Sequence, residues 1–199
     1  GRRVNYGTIG SALLWSPFYV IADVWTRLTG AAPADGFSKP YVAAVAFGSA
    51  LYAFVALLLS LRAARIIVGR SGSLVAMLAV WFGTPLLFYM YVAPLFAHAT
   101  SAFAVALFIN VWLHVRDAWS PRGTFVLGLC AGLLGLVREQ DIFIALGPAI
   151  DFVLTKRPWL AAAASGVAGT FTGLVPQLLA YKTLNLYFLP ASHVSVKMD

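Results

Sequence analysis

Four adjacent polar residues, Arg138-Glu139-Gln140-Asp141, interrupt an apolar stretch that runs from Thr124 to Leu154. Their types suit anion chemistry. A guanidinium presents five N–H donors in a planar fork that matches phosphate or diphosphate oxygens. A charge set among apolar neighbours is costly, so it marks either a function or a close partner. The plainer alternative pairs Arg138 with Asp141 at helical spacing, where the two merely cap a turn. Glu139 and Asp141 are the supporting acidic candidates: they orient Arg138, accept from a hydroxyl, or hold a metal. Two carboxylates two positions apart with no histidine nearby make a weak metal pattern, so no metal ligand is assigned, and dependence on a divalent metal stays open.

Other polar side chains offer weaker chemistry. His98 stands beside Thr100 and Ser101 at the start of an apolar run, placed to donate to a phosphate or simply to sit half-solvated. Lys182, His193 and Lys197 lie in or after the last apolar run, where cations complement an anionic headgroup or anchor a helix at lipid phosphates. Tyr6 and Trp15 provide ring faces for stacking, or interfacial anchors. Asp151 stands close to Lys156 and Arg157, which suffices for an ion pair. Cys130 is the single cysteine, a small buried hydrophobe that excludes a disulfide framework here.

The elements that position these residues follow from composition. Apolar residues are 61% and charged residues 11% of 199, with a mean hydropathy of +0.84. A soluble domain carries about 25% charged residues. The expected class is therefore all-α, a polytopic membrane helix bundle of about six passes. The spans read Tyr41–Leu61, Leu74–Val92 (kinked at Gly83-Thr84-Pro85), His98–Val115, Thr124–Val137, Ile142–Leu154 and Trp159–Leu184. Arg62, Arg65, Arg70, Arg116, Arg122, Lys156 and Arg157 all fall on one side, which the positive-inside rule makes cytoplasmic. Both ends of the chain are then external, in a plasma or inner membrane.

Residues 124–154 allow two readings. One continuous helix of ~46 Å would bury the polar tetrad near the bilayer centre and put basic residues on both faces. A hairpin of two short helices avoids both costs. Each arm reaches only ~20 Å, so its tip lies recessed by ~10 Å. The hairpin is the expectation. Residues 1–40 are expected as an external juxtamembrane segment, with Ile9–Leu28 an interfacial helix carrying Trp15 and Trp25 at headgroup level. Residues 41–184 form the transmembrane bundle, and residues 185–199 begin an external loop. With no Met at the start, the chain is expected to be an internal piece of a longer polypeptide.

Three stretches, in order, resemble a known family. Asn5-Tyr6-Gly7-Thr8-Ile9-Gly10-Ser11-Ala12-Leu13-Leu14-Trp15-Ser16-Pro17-Phe18 is similar to the external helix that follows the first large loop in GT-C class glycosyltransferases. Within that class the stretch most resembles the bacterial relatives of protein O-mannosyltransferases and lipid A arabinose transferases. Gly132-Leu133-Leu134-Gly135-Leu136-Val137-Arg138 resembles their apolar run ending in Arg or Lys. Val175-Pro176-Gln177-Leu178-Leu179-Ala180-Tyr181-Lys182 resembles their late span. The resemblance implies transfer of a sugar from a polyprenyl phosphate carrier to a glycan, lipid or protein acceptor on the external face. It also implies a catalytic acidic residue in a loop upstream of residue 1, so none is assigned here. Arg138, Lys182 and His98 are the candidates for the carrier phosphate. A secondary transporter, with its broken helices, and a non-enzymatic membrane scaffold are the other readings. Nucleic acid binding is excluded because the basic residues form no stripe.

Overall fold

The structure, a computed structural model, describes residues 7–155 and 160–190. Every regular element among these residues is helical. In chain order they are α1 (Gly10–Thr29), α2 (Lys39–Gly83), α3 (Leu86–Tyr91), α4 (His98–Val115), α5 (Pro121–Val137), a 3-10 segment (Glu139–Ala145), α6 (Leu146–Leu154) and α7 (Leu160–Asn185). The contacts divide the chain into two compact units, Ser11–Asp117 and the residues outside that range.

Within Ser11–Asp117 the main event is a reversal inside α2. Ala53, Leu57, Leu86, Met90 and Ala99 form one buried cluster, with Met77 and Trp81 packed on it. In an unbroken helix Leu57 and Met77 would stand ~30 Å apart. The chain turns back at Gly69, whose φ of 79° and ψ of −179° lie in a region essentially restricted to glycine. The Arg62, Arg65 and Arg70 side chains surround that turn and are exposed.

The stretch expected to kink at Gly83-Thr84-Pro85 breaks instead. Thr84 is extended, at φ −123° and ψ 165°, because the residue before a proline is driven out of the helical region. Its hydroxyl closes both broken ends, donating to Val80 O at 2.6 Å and accepting from Leu86 N at 3.3 Å. α4 follows over the residues expected from hydropathy. It is joined to α2 by the buried Asn110, whose Nδ2 donates to Leu59 O at 2.9 Å and to Ala106 O at 2.8 Å. Bonds of this kind between apolar helices are worth about 0.6 kcal/mol on average. Among the described residues α2 and α4 are the two helices long and apolar enough to cross a membrane.

α1, expected as an interfacial helix, packs against α2. Trp15 Nε1 donates to Ser49 Oγ at 2.8 Å. Tyr52 OH donates to Leu14 O at 3.0 Å, and Tyr41 OH to Asp23 Oδ1 at 2.6 Å. These partners run in opposite order along the two helices, so α1 lies antiparallel against the first turns of α2. Phe18 fills the gap, edge-on to Phe47 and Tyr52. A row of side chains on α1 thus bonds to one neighbouring helix. Trp25 does stay outward, at 60% exposed. Pro17 is tolerated inside α1 because Ser16 Oγ, at 2.7 Å, takes the Leu13 carbonyl that a residue with an N–H would have bonded.

In the other unit α5 and α7 pack along glycines. A Cβ on Gly132 would meet Gly173 Cα at 2.7 Å, and one on Gly173 would meet Leu129 O at 2.9 Å. Gly128 faces Gly166 and Thr170, and Gly169 faces Phe125 and Leu129. The order of these pairs makes the two helices parallel, with backbones in direct contact as in small-residue membrane packing. The chain between them therefore has to return. It breaks at Arg138, which is extended at φ −149° and ψ 122°, so no continuous helix covers 124–154. The return is not the single helix expected over Ile142–Leu154. It opens with the 3-10 segment, then passes into α6, and Phe152 packs edge-on to Trp119 at 5.1 Å. Lys156, Arg157 and Trp159 lie outside the described residues.

Candidate functional site

α5 is buried along its last turns, with Leu134 and Val137 fully enclosed. An α-helix leaves its final carbonyls without partners, and here two devices close that end. Arg138 N donates to Leu134 O at 2.9 Å, and the Thr8 hydroxyl donates to Val137 O at 2.9 Å. Gly10 then lies directly against the Leu136–Val137 backbone, where a Cβ would collide. Gly7, Thr8 and Ile9 are held from the other side by Gln177 of α7. Its Oε1 accepts from Ile9 N at 2.9 Å and its Nε2 donates to Gly7 O at 3.2 Å. Pro176 precedes Gln177 inside α7.

This geometry brings together Gly7–Gly10, Gly132–Arg138 and Gln177–Tyr181, one part from each of the three stretches singled out in the sequence. At their junction Arg138 is half-buried, Glu139 is exposed and Asp141 is half-buried. Asp141 N donates to Arg138 O at 3.0 Å, which closes the turn through the backbone. The Glu139 carboxylate lies within electrostatic reach of the buried Tyr181 hydroxyl, which also bonds the Gln177 side chain. The arrangement is a cation and a carboxylate on an extended turn at the end of a buried apolar helix, clamped by backbone and amide contacts. Such a turn can hold an anionic oxygen at Arg138 while keeping the apolar part of a ligand against the helices.

The remaining candidates are placed differently. Lys182 follows Tyr181 but is exposed, and its Nζ sits 5.0 Å above the Phe188 ring. That ring belongs to the chain after α7, which turns through Leu186 at φ 71°. His98 belongs to Ser11–Asp117, where its ring lies 3.8 Å from Tyr89 and 6.3 Å from Phe96. It is thus a member of an aromatic cluster, a role its position at a helix start did not suggest. Tyr6, His193 and Lys197 lie outside the described residues. Among the described residues no three His, Cys, Asp or Glu side chains come together as a metal set.

Sequence reasoning assigned no role to Thr8, Gly10 or Gln177. The signals were present but slight: a hydroxyl between two glycines, and an amide set into an apolar span beside a proline. Comparison of the chain with family models, with curated proteins and with solved structures returns no match.

Proposed function

We propose that this chain belongs to a multi-pass membrane glycosyltransferase, and that Arg138 holds the phosphate of a polyprenyl-linked sugar at the external face. The observation that carries this reading is the clamped end of α5. There a half-buried arginine follows a helix end that Thr8 and Gly10 meet directly, in a segment that Gln177 holds. A side chain merely capping a loop needs no such clamp.

Support for the membrane comes from exposure. The most apolar windows of α2 and α4 are 28% and 44% buried, and exposed large hydrophobics recur along α1, α2, α3, α6 and α7. A water-facing protein rarely shows so much continuous apolar surface. The arginines around Gly69 then lie on the cytoplasmic side. Glu139 and Asp141 orient Arg138 or accept from the acceptor's hydroxyl, and Lys182 plays an outer electrostatic part. The acceptor is a glycan, lipid or protein.

The breaks at Thr84 and Arg138 also suit a secondary transporter. One experiment separates the two. The full-length protein is reconstituted in vesicles with a polyprenyl-phosphate sugar, and both release of free polyprenyl phosphate and solute uptake are followed. Carrier release without uptake supports transfer; uptake without release replaces it with transport.

A further inference from the structure

We infer that the reversed α2 and α4 form a binding site for an anionic phospholipid, with one acyl chain in a groove and its phosphate at Arg65 and Arg70. This rests on the membrane part of the reading above and not on sugar transfer.

The groove has a volume of about 290 Å³ and is lined by Ser60, Ala64 and Val68 of the first arm, Ala76 and Val80 of the returning arm, and Ile109 of α4. Small side chains on the facing arms keep it open. Its lining on the first arm runs from Ser60 to Val68, a length of ~12 Å, and ends at the Gly69 turn. Ser60 supplies its single polar side chain, so the groove suits a hydrocarbon.

The turn supplies the charge. Arg62 is committed elsewhere: its Nη2 donates to His114 Nε2 at 2.8 Å, while His114 Nδ1 donates to Asn110 O at 2.9 Å. A carbonyl only accepts and a guanidinium only donates, which fixes these roles. Arg65 and Arg70 are exposed and form no ion pair among the described residues. Around them Ile66, Ile67, Leu74 and Val75 are each more than half exposed. Arginines set among outward apolar side chains fit the level of lipid phosphates. A neutral lipid would satisfy the groove but leave both charges unused, and a second copy of this chain would bring the same positive charge. An anionic phospholipid satisfies both features.

The test uses the full-length protein purified in a neutral detergent, with thermal unfolding and native mass spectrometry in the presence of phosphatidylglycerol or phosphatidylcholine. Phosphatidylglycerol should bind and raise the melting temperature, and phosphatidylcholine should do so far less. Each arginine contributes roughly fivefold to affinity for an anionic lipid. Arg65→Gln with Arg70→Gln should therefore weaken binding by about 25-fold. Ala76→Phe, which fills the groove, should weaken it without touching a charge; Ala64→Leu serves if that variant does not fold. Equal effects of the two lipids would overturn the proposal. So would phosphatidylglycerol binding that survives groove filling, or a groove variant whose main effect is to dissociate a dimer. Carrier release measured on the same variants fails or persists independently of these readouts.

Discussion

The Thr8 hydroxyl donates to the carbonyl of Val137 at 2.9 Å, across 129 residues of sequence. That bond fixes the early chain to the end of α5, one residue before Arg138. Gln177 holds the same short segment from α7. The candidate site therefore depends on contacts that no local pattern encodes.

Removing the clamp tests its role in stability. Gln177→Leu leaves Gly7 O and Ile9 N without their partner and should cost about 1–3 kcal/mol. Thr8→Val should cost about 1 kcal/mol. Because both residues hold one segment, the double variant should depart from additivity by about 0.5 kcal/mol or more. Thermal unfolding of the two single variants and the double variant supplies the cycle. Strict additivity would mean that the two contacts act separately.

The parallel packing of α5 and α7 makes a sharper distinction between neighbouring glycines. A methyl group on Gly132 meets the backbone of α7, whereas one on Gly135 reaches only the ends of the Ile142 and Leu174 side chains at 3.4 Å. Gly132→Ala should destabilise by about 1–3 kcal/mol. Gly135→Ala should be close to neutral. Melting temperatures of the two purified variants check this, and equal losses would contradict the backbone contact.

Gly69 sets the reversal of α2 through its torsion angles alone, since open space surrounds the position where a Cβ would stand. Gly69→Ala should therefore cost about 1–3 kcal/mol through strain. Gly83→Ala, also in open space but with no positive φ, should have little effect. Chemical denaturation of both variants in detergent makes the comparison.

Much of this architecture was legible because apolar length and glycine or proline breaks are local signals. His98–Val115 coincides with α4, and the break at Arg138–Asp141 falls where four polar residues end an apolar run. The position of α1 was not legible. Its hydrophobicity does not name the neighbour it packs on, and only the contacts of Trp15, Phe18 and Asp23 show that this is α2. The site was legible in part. Arg138 stands out by charge, but Thr8, Gly10 and Gln177 act through backbone contacts that no local sequence pattern marks. The ring packing of His98 was not legible, because a histidine at a helix start says nothing of Tyr89, which lies before the intervening turn.

A pH dependence follows from Asp23. The Arg27 guanidinium at 2.7 Å, and then the Tyr41 hydroxyl, hold its carboxyl below the usual range. Its contribution is complete above the unfolded value of about 3.9 and is lost as pH falls through the lower folded value. The difference in melting temperature between the native protein and Asp23→Asn should be present at neutral pH and should shrink in acid. A difference that grows in acid would contradict the pairing.

The most direct measurement concerns Arg138 itself. Full-length protein and Arg138→Ala are purified, their melting temperatures compared, and turnover recorded at varied concentrations of the polyprenyl-phosphate sugar. A charge-assisted contact to phosphate is worth about 1.5–3 kcal/mol. Arg138→Ala should therefore keep its stability and lose roughly 10- to 100-fold in kcat/KM for the carrier. Arg138→Lys, which keeps the charge without the planar fork, should recover part of that loss. A stable Arg138→Ala protein with unchanged carrier kinetics, or one that simply unfolds while Asp141→Asn unfolds alongside it, would contradict the assignment of Arg138 to the carrier phosphate.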